Sequence, residues 1–549
     1  MTMSERKLGH GAFKSAAVAC AAMIGVSSFA DTFTWHGPND AVGSGTFGTA
    51  GNWFDSTGNR TQTIPGSADD ITVSNNGVNL WTAQTITLDG DKSVASMTVA
   101  GGNVWSLGKV AYCYLALGGH TFDIAGQLYM EGIQGWSTYR AGKCTVQGGG
   151  TVNAASVQIG RTGEPGQGSG SLYLQGAGTA LASTGQIKME GPFTTLQVSD
   201  GATLTGDDLW VDCSSAPRSL IGGTGYEKGT IRVSGSGTSV SVKGFRVCRD
   251  VDLSISNGAS VAVTSWKDNY WLGSPLSYAY YGNAFGRSSG SSCGNYGTFV
   301  IDNASFSTAN SFALGCSVAS SGGSGATMTL RNGAKYKAGY LYVGFALDNA
   351  AYNSTNDVLN VLSGSELSSD ALYISYVGWS SFSRLNVSNA TVKCGTLKMG
   401  QVMANTIASN ACISVEGAAS SVTISNTGSD AFKVRMGSQM RFILPENGFA
   451  AVPINVSKGG VSIVADENDY AVDPVRLVID ANAFGKKHPQ ESVTLIECAT
   501  ASAESLQRLA DNLVFVDTPD RRKGTVAVVG GTKLVYTAPP PQGMVVSFK

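Results

Sequence analysis

Leu196–Val211 reads LQVSDGATLTGDDLWV, and its pattern decides the architecture of the whole chain. Leu196 and Val198 stand two apart, Asp200-Gly201 follows, Leu204 stands alone, and Leu209 and Val211 again stand two apart. Apolar residues at i and i+2 are the period of a strand that buries one face. An Asp-Gly pair between two such runs tolerates positive φ, so the chain turns there. A unit of this kind has three short apolar faces and no second sheet to cover them. Stacked copies solve the problem, because each apolar residue then sits on its counterpart in the next coil.

The unit recurs. Taking the second residue of the first pair as an anchor gives Leu88, Leu117, Val146, Leu174, Val198, Val233, Ile255, Ile301, Leu330, Val361, Val387 and Val415. These 12 anchors have a mean spacing of about 30 residues, inside the range of stacked repeats. The second pair follows at a nearly constant step, 13 residues from Val146 to Ile159, Val198 to Val211, Ile301 to Leu314 and Val361 to Ile374. The return to the next anchor is elastic, 8 residues from Val247 to Ile255 but 22 from Val211 to Val233. A rigid part and one variable part per coil place the insertions along one edge of a solenoid, where binding would concentrate. Glycines after the second pair (Gly160, Gly315, Gly344, Gly400) suit a tight corner there.

The fold expected is all-β: a single-stranded parallel β-helix with caps at both ends. Residues 1–30 read as a signal peptide, 31–75 as an N-terminal cap, 76–440 as about 12 coils, and 441–549 as a small β-rich C-terminal cap domain. At about 4.8 Å per coil the rod is on the order of 55 Å long. In the C-terminal part Leu506, Leu509, Ala510 and Leu513 share one face of a helix predicted over Ala503–Leu513.

Composition narrows the partners. Charged residues make up 14% of the 549, against a usual quarter, and the net charge is −2. No basic face is available for nucleic acid or an anionic membrane. The 71 glycines follow no Gly-X-Y period, which excludes collagen. Arg6, Lys7 and Lys14, then the apolar run Ala16–Val26, then Ser28-Phe29-Ala30 have the order of a secretory leader. No later stretch is long and apolar enough to span a bilayer. The chain is therefore expected to be secreted or held at the cell surface.

Residues 31–74 differ from the coils. They carry Trp35, the Gly51-Asn52-Trp53 triplet, Pro65-Gly66, and Asp69-Asp70 before Ile71-Thr72-Val73. Trp35 and Trp53 read as a plug over the first open coil, since an exposed coil end presents unpaired strand edges; a sugar-stacking platform is the alternative. The order TWHG, GNW, PGSADDITV, followed by coils of the form L-x-V-x-x-G-A-x-L, resembles exported β-helix proteins built from autotransporter-associated β-strand repeats. The resemblance spans roughly residues 32–440. It implies a parallel β-helix and export to the surface or medium, with no enzymatic role attached. This chain departs from the pattern in lacking a C-terminal membrane barrel, so the resemblance implies export rather than self-transport.

Candidate functional residues are few. The insertion 266–296 holds Trp266, Tyr270, Trp271, Tyr278, Tyr280 and Tyr281, together with Phe285 and Tyr296. Clustered aromatics with little charge suit stacking on sugar rings; they equally suit packing of the loop on the rod. Asp207-Asp208 offers paired carboxylates for general acid–base work, yet the pair is adjacent in a turn and no set of partners is apparent on neighbouring coils. Histidines beyond the leader are His36, His120 and His488, and His120 reads as a turn residue. Asp89 with Asp91, and Asp250 with Asp252, lack the nonapeptide form of a calcium-binding β-helix. No metal or cofactor is expected. Cys213 and Cys248 each lie 15 residues past their anchors, which would stack them within disulfide reach. Against this, Cys213 is two past Val211 and Cys248 one past Val247, so a bridge and a set of buried free thiols both stay open. The function expected is a structural or adhesive rod without catalysis, whose partner is a surface polysaccharide or another cell-surface component; a glycan-binding rod and a carbohydrate-active enzyme are the alternatives.

Overall fold

A computed structural model describes residues 30–541, apart from 39–42, 75–82, 102–109, 132–133, 136–137, 140, 161–169, 192, 213–227, 249–250, 266–282, 289–296, 318–324, 347–355, 377–382, 402–410, 436, 465–474, 501–502 and 516–523. It is a parallel β-helix with a sixteen-stranded sheet on one side and a 24-stranded sheet wrapping the others. The quoted unit shows how a coil is made. Thr195–Ser199 is one rung of the sixteen-stranded sheet, Asp200 and Gly201 turn the chain at φ of 58° and 84°, and Thr203–Asp212 enters the second sheet. That long strand bends, pairing first with Thr179–Ser183 and then with Gln186–Glu190 of the coil before it. The bend makes one strand serve two faces, so the coil closes with three apolar faces inward.

The interior is a set of side-chain files. Val146, Leu174, Val198, Val233, Ile255, Ile301, Leu330, Val361, Val387 and Val415 are successive register partners in the sixteen-stranded sheet. Ten of the 12 anchors thus stand directly above one another, each 2% exposed or less. The second pairs form a parallel file, Ile159, Met189, Val211 and Val247, then Leu314, Val343, Ile374 and Met399, with the backbone of the Asn283–Ser288 rung in register between Val247 and Leu314. Fully burying a Val or Leu side chain contributes about 1.5–3 kcal/mol, and in a file that gain is repeated at every coil.

Three expectations are corrected. The first two anchors are late by two residues: Ile86 and Leu115, rather than Leu88 and Leu117, are in register with Val146. Cys113, Leu115 and Leu117 are all buried at period two, and a period-two pattern looks the same after a slip of two. The boundary at residue 440 also falls inside the ladder. Gln439–Ile443, Arg476–Asp480 and Leu513–Phe515 continue the sixteen-stranded sheet in parallel, adding Phe442, Ile479 and Phe515 to its register. Finally, the insertion 266–296 is not one loop, because Asn283–Ser288 is a rung of the 24-stranded sheet between Ser239–Cys248 and Ser305–Ser317.

Both ends of the 24-stranded sheet are closed by antiparallel strands. At the start, Thr32–Trp35 runs parallel to Asp70–Ser74 and pairs antiparallel with Trp53–Phe54. Trp35 and Trp53 are 1% and 0% exposed and meet edge to face at 4.9 Å. Trp53 Nε1 donates to the Phe47 carbonyl at 2.9 Å. They cover the first coil as a plug, and rings buried to that degree offer no platform to a sugar. At the other end Ser492–Cys498 and Thr525–Val529 both pair antiparallel with Lys533–Thr537. The helix Ala503–Asp511 seals the side of this end with Leu506 and Leu509, both fully buried.

Candidate functional site

The elastic segments share one place in the coil. In coil after coil they join the last strand of the 24-stranded sheet to the next strand of the sixteen-stranded sheet, as between Thr203–Asp212 and Gly229–Ser234. Residues 266–282 are the exception. They connect Ser260–Val263 to Asn283–Ser288, the two halves of one rung of the 24-stranded sheet. The chain leaves that rung beside the previous coil's bend, where the Ser265 N–H donates to the Lys243 carbonyl.

The bend it leaves from carries several ion pairs. Lys188, Trp210 and Arg246 are successive register partners on the outward side of the 24-stranded sheet. Asp207 and Asp208 precede Trp210 at the bend. Asp208 is ion-paired to Arg246, with side chains 1% and 6% exposed. The Arg246 guanidinium also lies over the Trp210 ring at 5.0 Å, and Gln186 Nε2 donates to Asp208 Oδ2 at 3.4 Å. Asp207 pairs with Lys243 at 3.2 Å, and Lys188 with Glu190 at 2.5 Å. Gln158 Nε2 donates to the other oxygen of Glu190 at 3.0 Å.

The same outward file, followed along the axis, becomes aromatic. Tyr342 and Tyr373 are register partners stacked at 4.8 Å with their planes 12° apart, and Lys398 Nζ lies 5.7 Å over Tyr373. Lys433 is the next residue in the file. Tyr342 is itself buried, at 8% exposed, and Tyr373 is half-buried, so a polyhydroxylated ligand would meet the open part of Tyr373 beside the Lys398 ammonium. Proton transfer is served less well, because Asp207 and Asp208 are each already held by a cation.

Residues singled out from the sequence fall as follows. Trp266, Tyr270, Trp271, Tyr278, Tyr280, Tyr281 and Cys213 lie outside the described residues, as does the side chain of Cys248. Val211 pairs with Val247, which leaves Cys213 two steps and Cys248 one step past that pair. Asp89 is ion-paired to Lys92, whose ammonium holds the Asp89 carboxyl below its ordinary range, and Asp91 accepts the Thr121 N–H. Asp252 pairs with Lys228 at 3.0 Å; Asp250 lies outside the described residues. His120 is half-buried just after the Gly118-Gly119 turn, 3.8 Å from Asp91. Among the described residues no group of three or more His, Cys, Asp or Glu gathers as a metal site would, and no described helix is long and apolar enough to cross a membrane. Sequence reading missed Lys243 and Arg246 as partners of Asp207 and Asp208, and missed Tyr342 and Tyr373. The signal was present: each second-pair residue minus one gives the outward file, Trp210, Arg246, Tyr342, Tyr373 and Lys398.

Comparison with protein-family models, with curated proteins and with solved structures finds no match.

Proposed function

We propose that this chain is an exported β-helical rod with a structural or adhesive role, secreted or held at the cell surface, and without catalytic turnover. The observation that supports it best is the unbroken interior file, in a rod whose 24-stranded sheet ends in antiparallel strands on both sides. Such a rod holds its shape by stacking and presents variable segments along one edge. The leader-like start, and the resemblance of residues 32–440 to autotransporter-associated repeat proteins, point the same way. The test is incubation of the full chain with a panel of polysaccharides, reading reducing ends and unsaturated products over time. No product is expected. Product that accumulates with wild type and vanishes in Asp207→Asn, with the melting midpoint kept, would replace this reading with a carbohydrate-active enzyme.

A second reading, glycan binding by the rod, is favoured by one feature: the outward file that carries Trp210 under Arg246 and stacks Tyr342 on Tyr373. Retention on an immobilised polysaccharide that is lost in Trp210→Ala or Tyr373→Ala, with the melting midpoint held within a few degrees, would establish it. Retention that persists in both variants and is lost in Trp271→Ala would move binding to the insertion.

A further inference from the structure

We propose that Cys113 and Cys144, stacked in adjacent coils of the interior, are a disulfide site that ties the first coils of the rod together. The pair comes from the two-residue register correction. With Leu115 aligned to Val146, Cys113 becomes the direct partner of Cys144 in the sixteen-stranded sheet. Their side chains point inward, 1% and 0% exposed, both carry free thiols, and the nearness of Cys144 together with burial pushes the Cys113 thiol up. In-register neighbours of a parallel ladder are about 4.8 Å apart, inside the Cα range that a disulfide spans. Measured from the usual ladder spacing, closing the bond asks the two Cβ atoms to approach by about 1 Å.

No other pair among the described thiols shares this relation. Cys394 is in register with Ser369 and Ile424, and Cys412 with Arg384 and Gln439. Cys498 is in register with Val456. On its far side Cys113 faces Gln84, and Cys144 faces Leu172, so each sulfur has one sulfur neighbour in its file.

The chemistry needs an oxidant, which is a disulfide of the thiol–disulfide exchange class: a dithiol oxidoreductase or oxidised glutathione. Two S–H bonds of the chain break and one S–S bond forms. The two electrons and two protons pass to the oxidant, whose own disulfide becomes two thiols. Timing follows from burial. Contact with Cys144 and removal from water hold the Cys113 thiol far from ionisation in the folded rod, and the thiolate is the attacking species. The bond therefore forms while the first coils are closing and not afterwards. It would close a loop of 30 intervening residues at the end where the ladder begins, where fraying would otherwise start.

The experiment uses the full chain, produced in the oxidising compartment of a bacterial host behind that host's own export signal. The outcome is then independent of whether the chain's native start directs export. Thiols are alkylated in denaturant without reduction, and the digest is mapped by mass spectrometry. A peptide pair linking Cys113 to Cys144, about 2 Da lighter than the two free peptides, is expected, with Cys394 and Cys412 recovered alkylated. Recovery of both Cys113 and Cys144 as alkylated thiols overturns the proposal, and so does either one linked to a different cysteine. Reductant should lower the melting midpoint of wild type by a few degrees and leave Cys113→Ala/Cys144→Ala unmoved; an equal shift in both would also contradict it.

Discussion

The two sheets of the rod are built from the same repeat and behave differently. On the sixteen-stranded face the strands are short, and one file of apolar side chains, aliphatic but for Phe442, runs from Ile86 to Ile479 without a register shift. On the 24-stranded face the strands bend in mid-course, and the register slips between Ala154 and Ser156, between Val247 and Cys248, and between Thr308 and Ser311. That bent face holds the buried ion pair, the cation over Trp210, the stacked tyrosines and the departure of the aromatic insertion. A straight ladder fixes the coil; a bent one re-aims side chains outward, where they can meet something else.

The contrast can be broken most sharply at Val233. It sits in the straight file between Val198 and Ile255, so Val233→Asp strands a carboxylate between two aliphatic neighbours at a cost of several kcal/mol. Loss of cooperative unfolding in denaturant is expected for Val233→Asp, while Arg232→Asp, on the exposed side of the same strand, stays within about 0.5 kcal/mol of wild type. A smaller effect is expected on the bent face. Asp208→Asn leaves Arg246 buried beside a neutral amide and should cost about 3–5 kcal/mol. Asp208→Asn combined with Arg246→Met should recover most of that loss, since no uncompensated charge stays behind; equal loss in single and double variants would mean the pair is held for another reason. The smallest effect is at the surface of the straight face. The Asn332 amide and then Arg331 hold the Asp302 carboxyl below its ordinary range, and both contacts cross to the next coil. A depressed carboxyl contributes stability above its unfolded pKa and loses it as the pH falls through the folded value. Denaturation midpoints of wild type and Asp302→Asn should therefore converge in acid and differ near neutrality by about 0.5 kcal/mol, the scale of an exposed pair.

Much of the fold was legible because its two strongest signals are local. The period-two pairs set which side of each strand is buried, and the constant step of 13 set how far one coil travels before its second pair. Turn chemistry agreed: Asp200, Asn257 and Asn332 occupy positive φ, each followed by a glycine that does the same. The expected corner glycine is required at Gly315, where φ is 70° and an added Cβ would meet the Asp357 carboxylate at 2.0 Å. What escaped the sequence was absolute register. Leu88 and Leu117 fit the pattern as well as Ile86 and Leu115 do, and only pairing across coils separates them. The slip of two concealed Cys113 opposite Cys144. Boundaries failed for a related reason, since no constant repeat step announces Arg476–Asp480 and Leu513–Phe515 as further rungs past residue 440. The candidate site was half visible: Asp207-Asp208 drew attention as a dipeptide, whereas Lys243 and Arg246 reach it from 35 and more residues along the chain. Tyr342 and Tyr373 belong together only because their rungs do.

Stacking in register is the claim beneath all of this, and a chelating pair tests it directly. Gln197 and Arg232 are outward register partners on the straight face, and Ser254 lies one rung further. Histidines at 197 and 232 would stand about 4.8 Å apart and share one Ni²⁺, whereas histidines at 197 and 254 would stand about twice as far apart. With metal at a hundred times the dissociation constant, Gln197→His/Arg232→His should gain about 2.7 kcal/mol, and Gln197→His/Ser254→His should gain nothing beyond the single variants. No metal-dependent gain in the first, or an equal gain in the second, would contradict the ladder.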